Sequence, residues 1–138
     1  MELKVFTDGG SRGNPGVSGY GLAVYDETDN LIFQDAKFLG IKTNNEAEYL
    51  GLIAALTWLR DNQHKFNLEK VNFYSDSQLL VRQIQGAYKV KSDNLKGLHQ
   101  VARDLLSQIN VVCVFSDIRR GYNKLADSLA NEAMDRRL

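Results

Sequence analysis

Lys4-Val5-Phe6-Thr7-Asp8-Gly9-Gly10 is the stretch from which the rest of the chain is read. Val5 and Phe6 favour a strand, and the two glycines mark where it turns. Asp8 stands at the end of this apolar run. A carboxylate buried there is costly unless something pairs with it. Alone, Asp8 reads equally well as a turn acid leaving the strand. Three acids further along the chain shift that balance.

Outward from this stretch, Leu3–Thr7 reads as the first strand and Ser11–Ser18 as a turn cluster. Tyr20–Tyr25 and Leu31–Leu39 read as strands two and three. The short polar turn Asp26–Asn30 between them predicts a hairpin. A helix begins at Thr43-Asn44-Asn45-Glu46, where Thr43, Asn44 and Asn45 are all capable N-caps, and runs to about Arg60. Glu48, Leu52, Ala55, Leu56 and Leu59 share one face of it, so Glu48 lies on or beside the buried stripe and Glu46 points elsewhere. Trp58 reads as a packing residue. After the polar connection Asp61–Glu69 comes the fourth strand, Val71–Ser75, ending at Asp76. Ser77–Gln85 reads as a short helix, then a loop carries Tyr88, Lys89 and Lys91. A helix capped by Asp93 or Asn94 runs through Gln108, with Leu95, Leu98, Val101, Ala102 and Leu105 on its apolar face. Val111–Phe115 is the fifth strand, Asp117–Tyr122 a loop, and Asn123 to about Arg136 the last helix. Three strands in a meander, followed by strands separated by helices, predict a mixed sheet covered by helices.

Composition bounds the function classes. The 138 residues suit one domain. Lysine plus arginine and aspartate plus glutamate each number 17, so no overall positive charge argues for a polyanion partner. The single cysteine, Cys113, excludes an intramolecular disulfide, is expected to be buried in its strand, and suits a reducing, cytoplasmic setting. No run reaches membrane-spanning length, and Met1-Glu2-Leu3-Lys4 lacks signal-peptide character.

Asp8 and Asp76 end strands one and four. If those strands are parallel neighbours, both acids emerge at one sheet edge, where ligand sites of open α/β sheets form. Glu48 sits early in its helix on the inward face, and Asp127 early in the last helix beside Ala126, Leu129 and Ala130. Clustered carboxylates repel, and a divalent cation relieves that. Oxygen-only ligands favour Mg²⁺ or Mn²⁺ over zinc. Two such ions about 3.5–4 Å apart can activate water and stabilise the leaving oxygen of a phosphodiester. The competing role for each acid is a helix or turn cap.

Five motifs carry a resemblance across nearly the whole chain. They are Phe6-Thr7-Asp8-Gly9-Gly10; Arg12-Gly13-Asn14-Pro15-Gly16 with Gly19-Tyr20-Gly21; Thr43-Asn44-Asn45-Glu46-Ala47-Glu48; Tyr74-Ser75-Asp76-Ser77-Gln78; and Asn123-Lys124-Leu125-Ala126-Asp127-Ser128-Leu129-Ala130. In order and spacing the sequence resembles type 1 ribonuclease H. The resemblance implies an α/β fold with a five-stranded mixed sheet, order 3-2-1-4-5 with strands 1–3 antiparallel, over a single catalytic domain spanning residues 1–138. It implies a metal-dependent endonuclease that cleaves the RNA strand of RNA–DNA hybrids, leaving 5′-phosphomonoesters, as a cytoplasmic monomer. The metal-binding and catalytic carboxylates carried over are Asp8, Glu48, Asp76 and Asp127, with Mg²⁺ as cofactor, Mn²⁺ as its substitute, and two ions when substrate is bound. Gly9, Arg12, Asn14, Thr43, Asn44, Asn45, Gln78 and Asn123 match positions that contact substrate, reading backbone and 2′-OH rather than bases.

Two departures from the family pattern stand out. Many bacterial members carry a histidine in the loop before the last helix; here Arg119 and Arg120 occupy it, and Arg120 is assigned an electrostatic part toward phosphate, metal or product. His64 and His99 read as surface residues. The lysine-rich protrusion of some bacterial members is missing between Gln85 and Lys96, and no hybrid-binding module is expected before the first strand. Both point to the compact branch, some members of which also cut double-stranded RNA, and to steep salt dependence. A non-catalytic duplex-binding module and a DNA nuclease of related fold are the rival readings.

Overall fold

The computed structural model describes residues 1–137. Its strands are β1 (Glu2–Arg12), β2 (Gly16–Tyr25), β3 (Leu31–Lys42), β4 (Lys70–Ser75) and β5 (Val112–Asp117). Its helices are α1 (Asn44–Asn62), α2 (Gln78–Ile84), α3 (Asp93–Ser107) and α4 (Lys124–Arg136). The strands form one sheet in the order β3-β2-β1-β4-β5. β1, β2 and β3 are antiparallel, whereas β4 runs parallel to β1 and to β5.

Alternation within β1 decides the layers. Leu3, Val5 and Thr7 are buried against the cluster that α1 and α3 build from Tyr49, Leu52, Leu56, Leu59, Leu95 and Leu105. Asp8 lies out of phase with them and faces the side covered by α4. β2 is buried on both faces from Ser18 to Val24 because helices cover it on both sides. At Gly21 the contact leaves no room for a side chain: a Cβ would lie 2.3 Å from the Ala126 carbonyl oxygen. Trp58 packs as expected, stacked on Phe33 with ring centroids 5.2 Å apart.

Several boundaries and environments differ from the sequence reading. The expected turn cluster is mostly strand: Ser11 pairs with Ser18 and Arg12 with Val17, which confines the turn to residues 13–15. The Ser11 and Ser18 hydroxyls both donate to the Lys42 carbonyl and draw the ends of three strands together. α1 continues to Asn62 and into a 3-10 turn at Gln63–Lys65, inside the expected polar connection. The cap of α3 is Ser92 rather than Asp93 or Asn94, and Val101 is exposed. Cys113 is half-buried because β5 is an edge strand, with Val112 and Val114 exposed beside it. His64 is exposed as expected. His99 is half-buried instead, its ring edge-on to Tyr49 and its Nε2 3.3 Å from the Gln83 carbonyl oxygen. Among the described residues, no helix is long and apolar enough to cross a membrane.

Candidate metal and active site

The parallel pairing of β1 with β4 stops while β1 runs on, and three acids meet beyond its last pair. β1 pairs with β4 as far as Thr7↔Ser75, which places Asp8 and Asp76 one residue past the last pair. Glu48 enters from the second turn of α1. Its helix is started by a capping box in which Thr43 Oγ1 accepts from the Glu46 amide at 3.1 Å and Glu46 Oε1 accepts from the Thr43 amide at 2.9 Å. Of the three N-cap candidates, the structure selects Thr43, and Glu46 turns away to serve it. Asp8, Glu48 and Asp76 each offer a carboxylate oxygen within 4.8 Å of the others.

Burial and mutual repulsion dominate the electrostatics. Asp8 and Glu48 are each 5% exposed. Burial, then the charges of Glu48 and Asp76 and a hydrogen bond to Asp127, pushes the Asp8 carboxyl up to about 9. Burial and the Asp76 charge push Glu48 up to about 8, against the opposing pull of the Gly9 amide and Arg120. An all-oxygen donor set that binds protons so tightly fits a hard divalent cation, which satisfies the same oxygens without protons. Asp127, in the first turn of α4, is half-buried and within hydrogen-bonding reach of Asp8, but lies outside the tight three-carboxylate group.

The acids sit in a cleft of about 290 Å³ whose rim includes Arg12, Asn44, Arg120 and Asn131. Arg120 is mostly exposed, its Nε 3.8 Å from Asp76 Oδ2. Asn44 and Asn45 are exposed at the start of α1, and Asn14 Oδ1 accepts from the Asn44 amide at 3.0 Å, tying the β1–β2 turn to the helix. Gln78 is exposed at the first turn of α2, outside the cleft. Other expected contacts are engaged within the protein. Arg12 pairs with Asp135 and reaches Asn131 Oδ1 at 3.2 Å. The Gly9 amide donates to Glu48. Asn123 is 1% exposed and donates from Nδ2 to the Thr7 carbonyl at 2.8 Å, so its side chain ties α4 to β1. Sequence reasoning missed Asn131, which lines the cleft; its place one helical turn after Asp127 was the available signal. It also left Arg119 without a role, although Arg119 lines an adjoining cleft with Glu48, Asp76 and Arg120.

A mixed sheet of this order, with acids gathered where the pairing of two parallel strands ends, defines the ribonuclease H fold class. A reverse-transcriptase-like family profile matches residues 6–133. The crystal structure of LC11-RNase H1 in complex with RNA/DNA hybrid superposes with a TM-score of 0.92 at 39% identity, covering 98% of each chain. RNase H1 from the halophilic archaeon Halobacterium salinarum superposes with a TM-score of 0.89 at 33% identity over 99% of each chain. The bifunctional protein Rv2228c of Mycobacterium tuberculosis is 40% identical over 98% of this chain, which spans 36% of that protein's length. The chain belongs to the type 1 ribonuclease H-like family.

Proposed function

We propose that this protein is a divalent-metal-dependent endoribonuclease that hydrolyses the RNA strand of RNA–DNA hybrids and leaves 5′-phosphomonoesters. The observation that carries the reading is the meeting of Asp8, Glu48 and Asp76 within 4.8 Å from three separate elements. The likeness to LC11-RNase H1, crystallised with an RNA/DNA hybrid, supports the substrate.

Asp8, Glu48 and Asp76, with Asp127 beside them, would hold Mg²⁺ or Mn²⁺ as a pair of ions. When bound there, divalent cations polarise the scissile phosphate and lower the pKa of water. The chain's own residues bind and orient. Asn44, Asn45, Asn14 and Gln78 expose amide groups suited to sugar and phosphate along the duplex, which reads backbone shape without base identity. Arg120 places a permanent positive charge at the cleft rim, near Asp76, where substrate phosphate would arrive. It draws phosphate in and favours the ionised form of Glu48. We assign the domain to residues 1–138, acting as a cytoplasmic monomer.

The deciding experiment incubates labelled RNA–DNA hybrid, double-stranded RNA and double-stranded DNA with Mg²⁺ or Mn²⁺, beside Asp76→Asn. Cleavage confined to the RNA strand of the hybrid, and lost in the folded variant, is the expected result. Cutting of double-stranded RNA as well would widen the substrate range. Hybrid binding with no cleavage under either metal would replace the nuclease with a binding module.

A further inference from the structure

Gly9 matches a family position at the substrate, yet the geometry gives it a different task. β4 leaves the sheet at Ser75, opposite Thr7, whereas β1 continues to Arg12 paired with β2. Past Thr7, the side of β1 that faced β4 therefore lacks a strand partner. The start of α1 fills that gap. Gly9 donates its backbone N–H to Glu48 Oε1 at 2.6 Å in a buried hydrogen bond. The helix comes so near that a Cβ on Gly9 would lie 2.4 Å from both the carbonyl carbon and oxygen of Ala47, and 2.5 Å from the Glu48 nitrogen. These are backbone atoms, which no rotamer change can move aside.

We propose that Gly9 is a positioning residue whose amide aims the Glu48 carboxylate into the acid cluster and whose missing side chain lets α1 approach closely enough for that bond. Glutamate has three side-chain torsions, and only a fixed partner holds its carboxylate in one place. The premature end of β4 supplies that partner by leaving one β1 amide free. The bond is also charge-assisted, so it favours the ionised Glu48. The catalytic consequence rests on the nuclease reading; the aiming of Glu48 rests on the geometry alone.

Amide hydrogen exchange on the metal-free protein tests the aiming directly. The Gly9 amide is expected to exchange slowly in the wild type and in Glu48→Gln, which keeps an acceptor oxygen. In Glu48→Ala it should exchange at least about tenfold faster. Kinetics on Gly9→Ala then test the consequence. A displacement of about 1 Å at a reacting site lowers kcat about 100-fold, with KM for hybrid changed less than about twofold. A direct substrate contact predicts the reverse, a raised KM with kcat kept. The proposal falls if the Gly9 amide exchanges equally fast in wild type and Glu48→Ala, or if Gly9→Ala keeps wild-type kcat. Should Gly9→Ala not fold, the exchange comparison decides alone. Should the wild type cut no nucleic acid, the nuclease reading fails while the exchange result still judges the aiming of Glu48.

Discussion

Replacing Asp8 by asparagine is expected to abolish cleavage and, without metal, to make the protein more stable at neutral pH. The folded Asp8 carboxyl sits at about 9 against an ordinary value of 3.8. An acid whose pKa is raised by folding binds its proton more tightly in the folded state. Its environment then penalises folding increasingly as pH climbs from 3.8 toward about 9, and has no effect below that window. At pH 7 the gap covers about three pH units, and at about 1.4 kcal/mol per unit the penalty reaches about 4 kcal/mol. Asparagine removes the ionisation and keeps an N–H donor for Asp127. A gain of about 2–4 kcal/mol is expected at pH 7, somewhat less than the full penalty because the buried amide carries a desolvation cost of its own. For a chain of this length that is about 6–12 °C in Tm. The assay is thermal unfolding followed by circular dichroism in EDTA at pH 4, 5.5 and 7. The reasoning is refuted if the variant is no more stable than wild type at pH 7, or if its advantage is as large at pH 4. Mg²⁺ should then stabilise the wild type far more than the variant, because binding to the native state alone raises stability.

Three further perturbations have clear expected outcomes. Thr43→Ala breaks the capping box at the start of α1 and should cost about 1 kcal/mol in urea unfolding, with reduced cleavage because Glu48 lies on the next turn. Leu56→Ala, at a fully buried core position, should cost about 2–5 kcal/mol by the same assay; a loss well below 1 kcal/mol would mean that α1 is packed differently. Arg120→Ala should leave Tm unchanged, since the side chain is 81% exposed. It should lower kcat about tenfold, with part of the loss recovered in Arg120→Lys because a positive charge returns to the rim. Equal activity of all three proteins would remove Arg120 from the mechanism.

The clustered acids were legible because each follows a local signal that sequence marks well. Asp8 and Asp76 follow apolar runs that read as strands, and Glu48 follows a cap and shares a face with Leu52 and Leu56. Strand ends and helix starts are where side chains leave the regular ladder and gather at a sheet edge. Asp127 was less fully resolved: its position early in α4 was readable, but whether it joins the cluster depends on how closely α4 lies on Gly21. The strand lengths were misread at the β1–β2 turn because Ser, Gly, Asn and Pro signal turns locally. There, pairing with β2 and hydroxyl bonds to Lys42 hold the same residues in a strand.

From the sequence alone follow the order of the elements, the acids they carry, and an oxygen-only chemistry suited to a hard cation. These rest on local signals, namely apolar period, caps and turn residues, acting within a few positions. Tertiary structure alone decided which polar groups stay exposed around the cleft and which hold the fold. Arg12 is engaged by Asp135, 123 positions away, and Asn123 by Thr7, 116 positions away. The Gly9 amide is open to Glu48 because a different strand, β4, stops at Ser75. A donor's partner is set by whatever the fold brings within about 3 Å, and no spacing along one segment encodes what another segment leaves unpaired.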